Sequence, residues 1–291
     1  MIDNVIALAP IPSRKWLNHY KVHPASPSSV GTAGTCARMF DGKYMGIHVE
    51  KVKSSYNKGA DEGGQVHISL EDYLIKGTPI PEKWLEILPN LQAKADWVKD
   101  HKGFTPDSVE LRMSHDSSGV CDWNKRTMGA IADVVIDESP EHRIILDWKT
   151  NKATDAKGKY RSPYPKPLQL EMMAIMSFIE NPKLEKVTGI FEFLRHDKRY
   201  TYEYCRDKVY VTVTNGRGTV TEKPYLYPVE LMRYWNMQMT GKYYPRKNPL
   251  CKEWCDVKCE HNGKFADQIT IEDSRDIEIV TGAGDTTPLD L

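Results

Sequence analysis

The sequence predicts a mixed α/β fold, a central sheet flanked by helices, on three observations. Two short β-branched runs, Ala130 to Ile136 and Arg143 to Trp148, are separated by an acidic, proline-containing turn, as in a β-hairpin. Strand-like runs follow it in VTGIFEFLR, YTYEYC and VYVTVTNG. Around them lie segments with apolar residues at helical spacing, including LQLEMMAIMSFIE and PVELMRYWNMQMTG.

Taken in order, residues 1–30 are rich in Pro, Ser and His and read as an extended lead-in with one short helix at most. Ser28 or Ser29 can cap a helix starting near Val30 that carries Cys36, Arg38 and Phe40. Gly63 and Gly64 mark the start of a second helix, with Val66, Leu70, Tyr73 and Leu74 as its apolar stripe and His67 one turn before Glu71. Residues 81–101 form a further helix that Pro89 kinks or divides. SVELRMSHD reads as a strand ending in a turn at Asp116 to Gly119, and its Glu110 reads either as an acid standing behind the metal ligands or, the favoured reading, as an exposed strand position. Beyond the hairpin, KTNKATDAKGKYRSPYPKP suits a loop that meets phosphates and stacks on bases, and suits a plain surface loop equally. Cys121 and Cys205 have no companions and read as structural.

The hairpin reads either as a site for chemistry or as an ordinary amphipathic pair with solvated charges on one face, the two standing evenly on these residues alone. A carboxylate in a buried strand costs several kcal/mol without a cation or donors, and Asp133 and Asp147 both lie in such runs. Mg²⁺ is a fitting counter-charge, because it prefers oxygen ligands and is held by one or two carboxylates. Strand alternation puts Asp147 and Lys149 on one face and Trp148 on the other. Lys149 then lies beside the attacking water or the scissile phosphate. Near the C-terminus, Cys251, Cys255 and Cys259 recur every four residues, which points to a metal. Zinc with His261 as the fourth ligand is one solution, and an iron–sulfur cluster completed by a distant Cys is the other.

The formal net charge is zero but unevenly spread. From residue 267 onward seven acids face one base, so the tail is −6 and the remainder +6, compatible with a DNA partner. No apolar run approaches the roughly 20 residues of a membrane span, and the N-terminus does not read as a secretory signal, so a cytoplasmic protein without a membrane partner is expected.

These motifs, in this order, resemble the RecB-like exonuclease branch of the PD-(D/E)XK superfamily, in particular members with a cysteine-ligated iron–sulfur staple, many of them phage-encoded recombination exonucleases. SPSSVGTAGTCARMF is similar to the family's opening helix, with Cys36 as its Cys. GGQVH matches its Gly-X-X-X-His at Gly63 and His67, GAIAD its hairpin acid at Asp133, and DWK its Asp-X-Lys. Gln169 matches its Gln-X-X-X-Tyr helix, with Met173 in place of Tyr. GKYYPRKNPLCKEWCDVKC is similar to its closing cysteine segment.

The resemblance implies a restriction-endonuclease-like core over residues 31–264, including the cysteine cluster, with 265–291 as an acidic, disordered tail. It implies that His67, Asp133, Asp147 and the Trp148 carbonyl hold one or two Mg²⁺ or Mn²⁺ ions. Lys149 would position or deprotonate the attacking water, and Gln169 would hold Lys149 or the phosphate in register. Cys36, Cys251, Cys255 and Cys259 would ligate a [4Fe–4S] cluster joining the two ends of the domain. The activity implied is a DNA exonuclease acting on single strands or ends in recombination, replication or DNA degradation, with a recombinase, helicase or single-strand-binding protein as partner. A structure-selective endonuclease and an inactive DNA-binding scaffold are the rivals.

Overall fold

A computed structural model describes residues 11–48, 58–151 and 166–251, together with residues 255, 257, 259 and 261. The acidic tail and most of the basic stretch after Lys149 lie outside the described residues. The chain forms helices α1 (Arg14–Tyr20), α2 (Pro27–Thr35), α3 (Ala37–Phe40), α4 (Lys58–Lys76), α5 (Glu82–Ile87) and α6 (Leu91–Lys99). Strands β1 (Val109–Asp116), β2 (Gly119–Val120), β3 (Met128–Ser139) and β4 (His142–Lys149) follow. Helix α7 (Pro167–Glu180), strands β5 (Lys186–Phe193), β6 (Lys198–Cys205), β7 (Tyr210–Thr214) and β8 (Val220–Pro224), and helix α8 (Tyr227–Thr240) complete it.

The strands make one sheet in the order β2-β1-β3-β4-β5-β6-β7-β8. Every neighbouring pair is antiparallel except β4 and β5, which α7 connects as a crossover. Helices cover both faces. On one, Val66, Leu70 and Leu74 of α4, Trp84 of α5 and Leu91, Ala95 and Val98 of α6 pack with Val134, Ile144, Leu146 and Trp148. On the other, the almost wholly buried α7 packs with α8, Val30 of α2, Ile145, Val187 and Phe191. Burial on both faces explains why β4 and β5 read as continuous apolar runs rather than as alternating ones.

Three elements differ from the sequence reading. Helix α2 begins at Pro27, inside the expected lead-in, because Ser26 rather than Ser28 or Ser29 is the cap. Ser26 accepts the Ser29 N–H at 3.1 Å while Ser29 accepts the Ser26 N–H at 2.8 Å, a reciprocal capping box. Helix α4 begins at Lys58, so Gly63 and Gly64 lie within it. Strand β8 is an addition to the expected strands, since all five of its residues are exposed and carry no apolar alternation. Pro89 does divide its segment, with Asn90 left-handed at φ 58° between α5 and α6.

Candidate metal centre

The centre is built where the sheet departs from regularity. The β3–β4 ladder runs to Val134 opposite Leu146. One step further Asp133 would face Asp147, but there the Asp133 carboxylate takes the place of a ladder partner, its Oδ2 accepting the Trp148 N–H at 2.6 Å. Strand β1 is distorted at the same level. Glu110, whose neighbours pair with Val134 and Ala132, has a left-handed φ of 51°. Val109 and Val134 pack under α4–α6, whereas Leu111 and Ala132 pack toward α7. Both strands therefore change face at Glu110 and Asp133, which turns these two carboxylates together instead of into either core.

Helix α4 supplies the imidazole. Val66 anchors the helix in the core, and its neighbour His67 reaches the sheet with Nε2 3.1 Å from the Trp148 carbonyl oxygen and Nδ1 3.6 Å from Asp133 Oδ1. Gly63 allows this approach, since a Cβ there would stand 2.8 Å from Thr150 Oγ1. Among the described residues, the His, Cys, Asp and Glu ligand atoms that all lie within 4.8 Å of one another are those of His67, Glu110 and Asp133. Asp147 falls outside that spacing and is engaged by its neighbours. Lys149 Nζ forms an ion pair with its Oδ2, the Gln169 amide donates to its Oδ1, and Lys149 donates to Gln169 Oε1 at 3.1 Å. Asp147, Lys149 and Gln169 thus form a closed triangle on the face opposite Trp148.

The acids are crowded in a way that a cation would relieve. Burial, then the charge of Asp133, pushes the Asp147 pKa well above the carboxylate range, against the pull of Lys149. Burial and Asp133 likewise raise Glu110. Burial pulls His67 down, but Asp133, Asp147 and Glu110 together outweigh it and leave its pKa raised. Three crowded carboxylates, an imidazole and a backbone carbonyl form an oxygen-rich donor set that fits a hard divalent ion such as Mg²⁺ or Mn²⁺.

Of the residues singled out from sequence, the structure therefore gathers His67, Asp133, Trp148, Asp147, Lys149 and Gln169 at one place. Glu110, expected at an exposed strand position, belongs to the same place. Its register opposite Asp133 is legible only once the β1–β3 pairing is known, and no sequence signal marks its backbone reversal.

A second group lies where the N- and C-terminal segments meet. Cys36 occupies the extended break between α2 and α3 rather than the middle of a helix. Its Sγ accepts the Arg246 N–H at 3.3 Å, while Cys251 Sγ accepts the Asn248 N–H at 3.4 Å and lies 3.9 Å from the Arg246 carbonyl. Cys36, Cys251, Cys255 and Cys259 are all buried. Burial raises the Cys255 thiol, and the nearby Cys259, Cys251 and Cys36 push the same way. Among the described residues no three of these thiols, with or without His261, come within 4.8 Å of one another.

No family model and no curated protein matches the chain. Among solved structures it is similar to one titled "Crystal structure of SSO0001", at 15% identity and a TM-score of 0.36, over 83% of this chain and 89% of that one. No helix of the described residues is long and apolar enough to cross a membrane.

Proposed function

We propose that the protein is a Mg²⁺- or Mn²⁺-dependent deoxyribonuclease of the PD-(D/E)XK type, acting as an exonuclease. The observation that carries this reading is the convergence of His67, Glu110 and Asp133 within 4.8 Å, beside an Asp147–Lys149 pair. In this reading Asp133, Glu110, His67 and the Trp148 carbonyl hold the cation, with Asp147 at its edge. A divalent ion held there supplies Lewis acidity toward a phosphodiester oxygen and lowers the pKa of water.

The chain's own groups do the rest. Lys149 places a positive charge next to the position the phosphate would take, and so offsets the charge that builds on its oxygens. Gln169 holds the Lys149 ammonium and the Asp147 carboxylate in fixed relation, so that neither needs to reorganise during attack. The RecB-like resemblance favours end-processing over internal cutting.

For the four thiols we assign a [4Fe–4S] cluster over zinc. The resemblance supports this choice, because in that family an N-terminal Cys joins three C-terminal ones around the cluster, and Cys36, Cys251, Cys255 and Cys259 are all buried. Purified anaerobically, the protein is expected to be brown, to absorb near 400 nm and to contain iron. A colourless, zinc-containing protein would overturn that assignment.

The nuclease reading is tested with end-labelled single- and double-stranded DNA in Mg²⁺ and Mn²⁺. Asp133→Ala and Asp147→Ala should abolish cleavage while circular dichroism and melting temperature show the fold retained. Wild-type cleavage in the double variant would refute the site.

A further inference from the structure

The strands that carry Glu110 and Asp133 continue into a second feature. Two residues on, roughly 7 Å along strands that rise about 3.4 Å per residue, Arg112 and Ile131 stand opposite each other, and both are exposed. The turn Trp123–Lys125 folds beside them. The Arg126 guanidinium stacks on the Trp123 ring at 3.8 Å from its centroid, and Arg112 approaches the same ring at 5.7 Å. Arg14, from the start of α1, donates to the Arg126 carbonyl at 3.2 Å. Gly129 makes room for the arrangement, since a Cβ there would stand 2.4 Å from Arg126 Cδ and 3.2 Å from the indole.

Two arginines thus flank one indole, and a third, Arg14, lies against Arg126. Elsewhere Arg143, Arg195, Arg199 and Arg233 each pair with a carboxylate. Among the described residues, none of Arg14, Arg112 and Arg126 does. Burial, followed by the repulsion of Arg14 and Arg112, lowers the Arg126 pKa. A bracing role accounts for Arg126, which stacks on Trp123 and also donates to its carbonyl. Arg14 braces Arg126 in turn through its carbonyl, but neither Arg14 nor Arg112 has a carboxylate partner among the described residues, and their like charges beside Arg126 are offset when an anion arrives.

We propose that Arg14, Arg112, Trp123 and Arg126 form a docking site for single-stranded DNA, the arginines holding backbone phosphates and the Trp123–Arg126 stack receiving a base. The guanidinium fork matches phosphate oxygens, and bases stack on aromatic rings and on guanidinium planes. Stacking on the indole requires an unpaired base, which selects a single strand over a duplex. The proposal rests on the nuclease reading in one respect: a strand held here is led along β1 and β3 toward Asp133.

The test is fluorescence anisotropy of labelled oligo(dT) with the full chain in Ca²⁺, without Mg²⁺ or Mn²⁺. Arg112→Glu and Arg14→Glu should each weaken binding about tenfold and flatten the salt dependence by about 0.7 for every phosphate left without its arginine. Trp123→Ala should reduce the preference for oligo(dT) over duplex. Arg217→Glu, in the exposed turn before β8, should leave Kd unchanged, and melting temperatures verify folding. Unchanged binding in Arg112→Glu, an equal loss in Arg217→Glu, or a wild type that does not bind the strand overturns the proposal. A wild type that binds through these residues but fails to cut in Mg²⁺ or Mn²⁺ refutes the nuclease reading and leaves the docking site standing. One that cuts with a KM unmoved by Arg112→Glu refutes the docking site alone.

Discussion

Two kinds of side chain meet at the centre, and the chemistry of each sets a different expectation. Lys149 is the nearest ammonium to the acids, so Lys149→Ala should lower kcat about 10²- to 10³-fold, the usual effect of losing one charge-stabilising donor, with little change in KM. Gln169 acts through Lys149 and Asp147, so Gln169→Ala should cost about 10- to 100-fold, read from the same steady-state assay. Glu110 makes a sharper case. Glu110→Gln should weaken Mn²⁺ binding by about 10-fold or more in calorimetry, whereas a purely surface acid would leave the isotherm unchanged. Composition and spacing reveal Asp133, Asp147 and Lys149 because short apolar strands make polar intrusions conspicuous. They conceal Glu110 because a left-handed residue reverses the two-residue alternation on which strand reading depends.

At the level of elements, hydrophobic pattern identifies the hairpin, the buried α7 and the division of the segment around Pro89. It fails where a local residue serves tertiary packing. Gly63 looks like a helix start but sits inside α4, where a Cβ would crowd the Thr150 hydroxyl and force it to shift. Strand β8 has an exposed, charged sequence and is held by backbone pairing to β7 rather than by burial. Helix α7 contains a further acid with a measurable consequence. Glu171 is buried and accepts the Tyr227 N–H at the start of α8, so it joins the helix bearing Gln169 to the helix leading toward the thiols. Burial outweighs this bond and raises its pKa from 4.5 to about 7. The folded state therefore holds the proton more tightly than the unfolded chain does. The stability this contributes is present in full below the unfolded value and is lost as pH rises to about 7, a fall of about 3 kcal/mol. Glu171→Gln should reduce that slope, seen as urea midpoints that decline less than the wild type's between these pH values, with Asp147 keeping its own share.

Across the whole molecule, the N-terminal segment is tied to the C-terminal one by packing as well as by the Arg246 N–H donated to Cys36. Phe40 stacks with Tyr44 and Tyr243 at centroid distances of 5.3 and 6.1 Å, and meets Tyr234 edge-on at 5.3 Å. The Tyr234 hydroxyl donates to the carbonyls of His23 and Pro24, each at 3.0 Å, and the His23 N–H donates to Gln238 at 2.6 Å. Such aromatic pairs contribute about 0.5–1.5 kcal/mol each beyond their buried area. The sequence displays the cysteines but not this set of rings, whose members lie about two hundred residues apart. Chelation of the proposed cluster should therefore lower the melting temperature yet leave a cooperative transition and native near-ultraviolet circular dichroism. A chain that lost both on chelation would show that the metal alone joins its ends. A cradle propped open by aromatic rings stays in shape when emptied. Under the cluster assignment proposed above, iron and sulfide added to the bleached protein should restore its colour without denaturant, so oxidative damage at this corner would be a repairable injury rather than a terminal one.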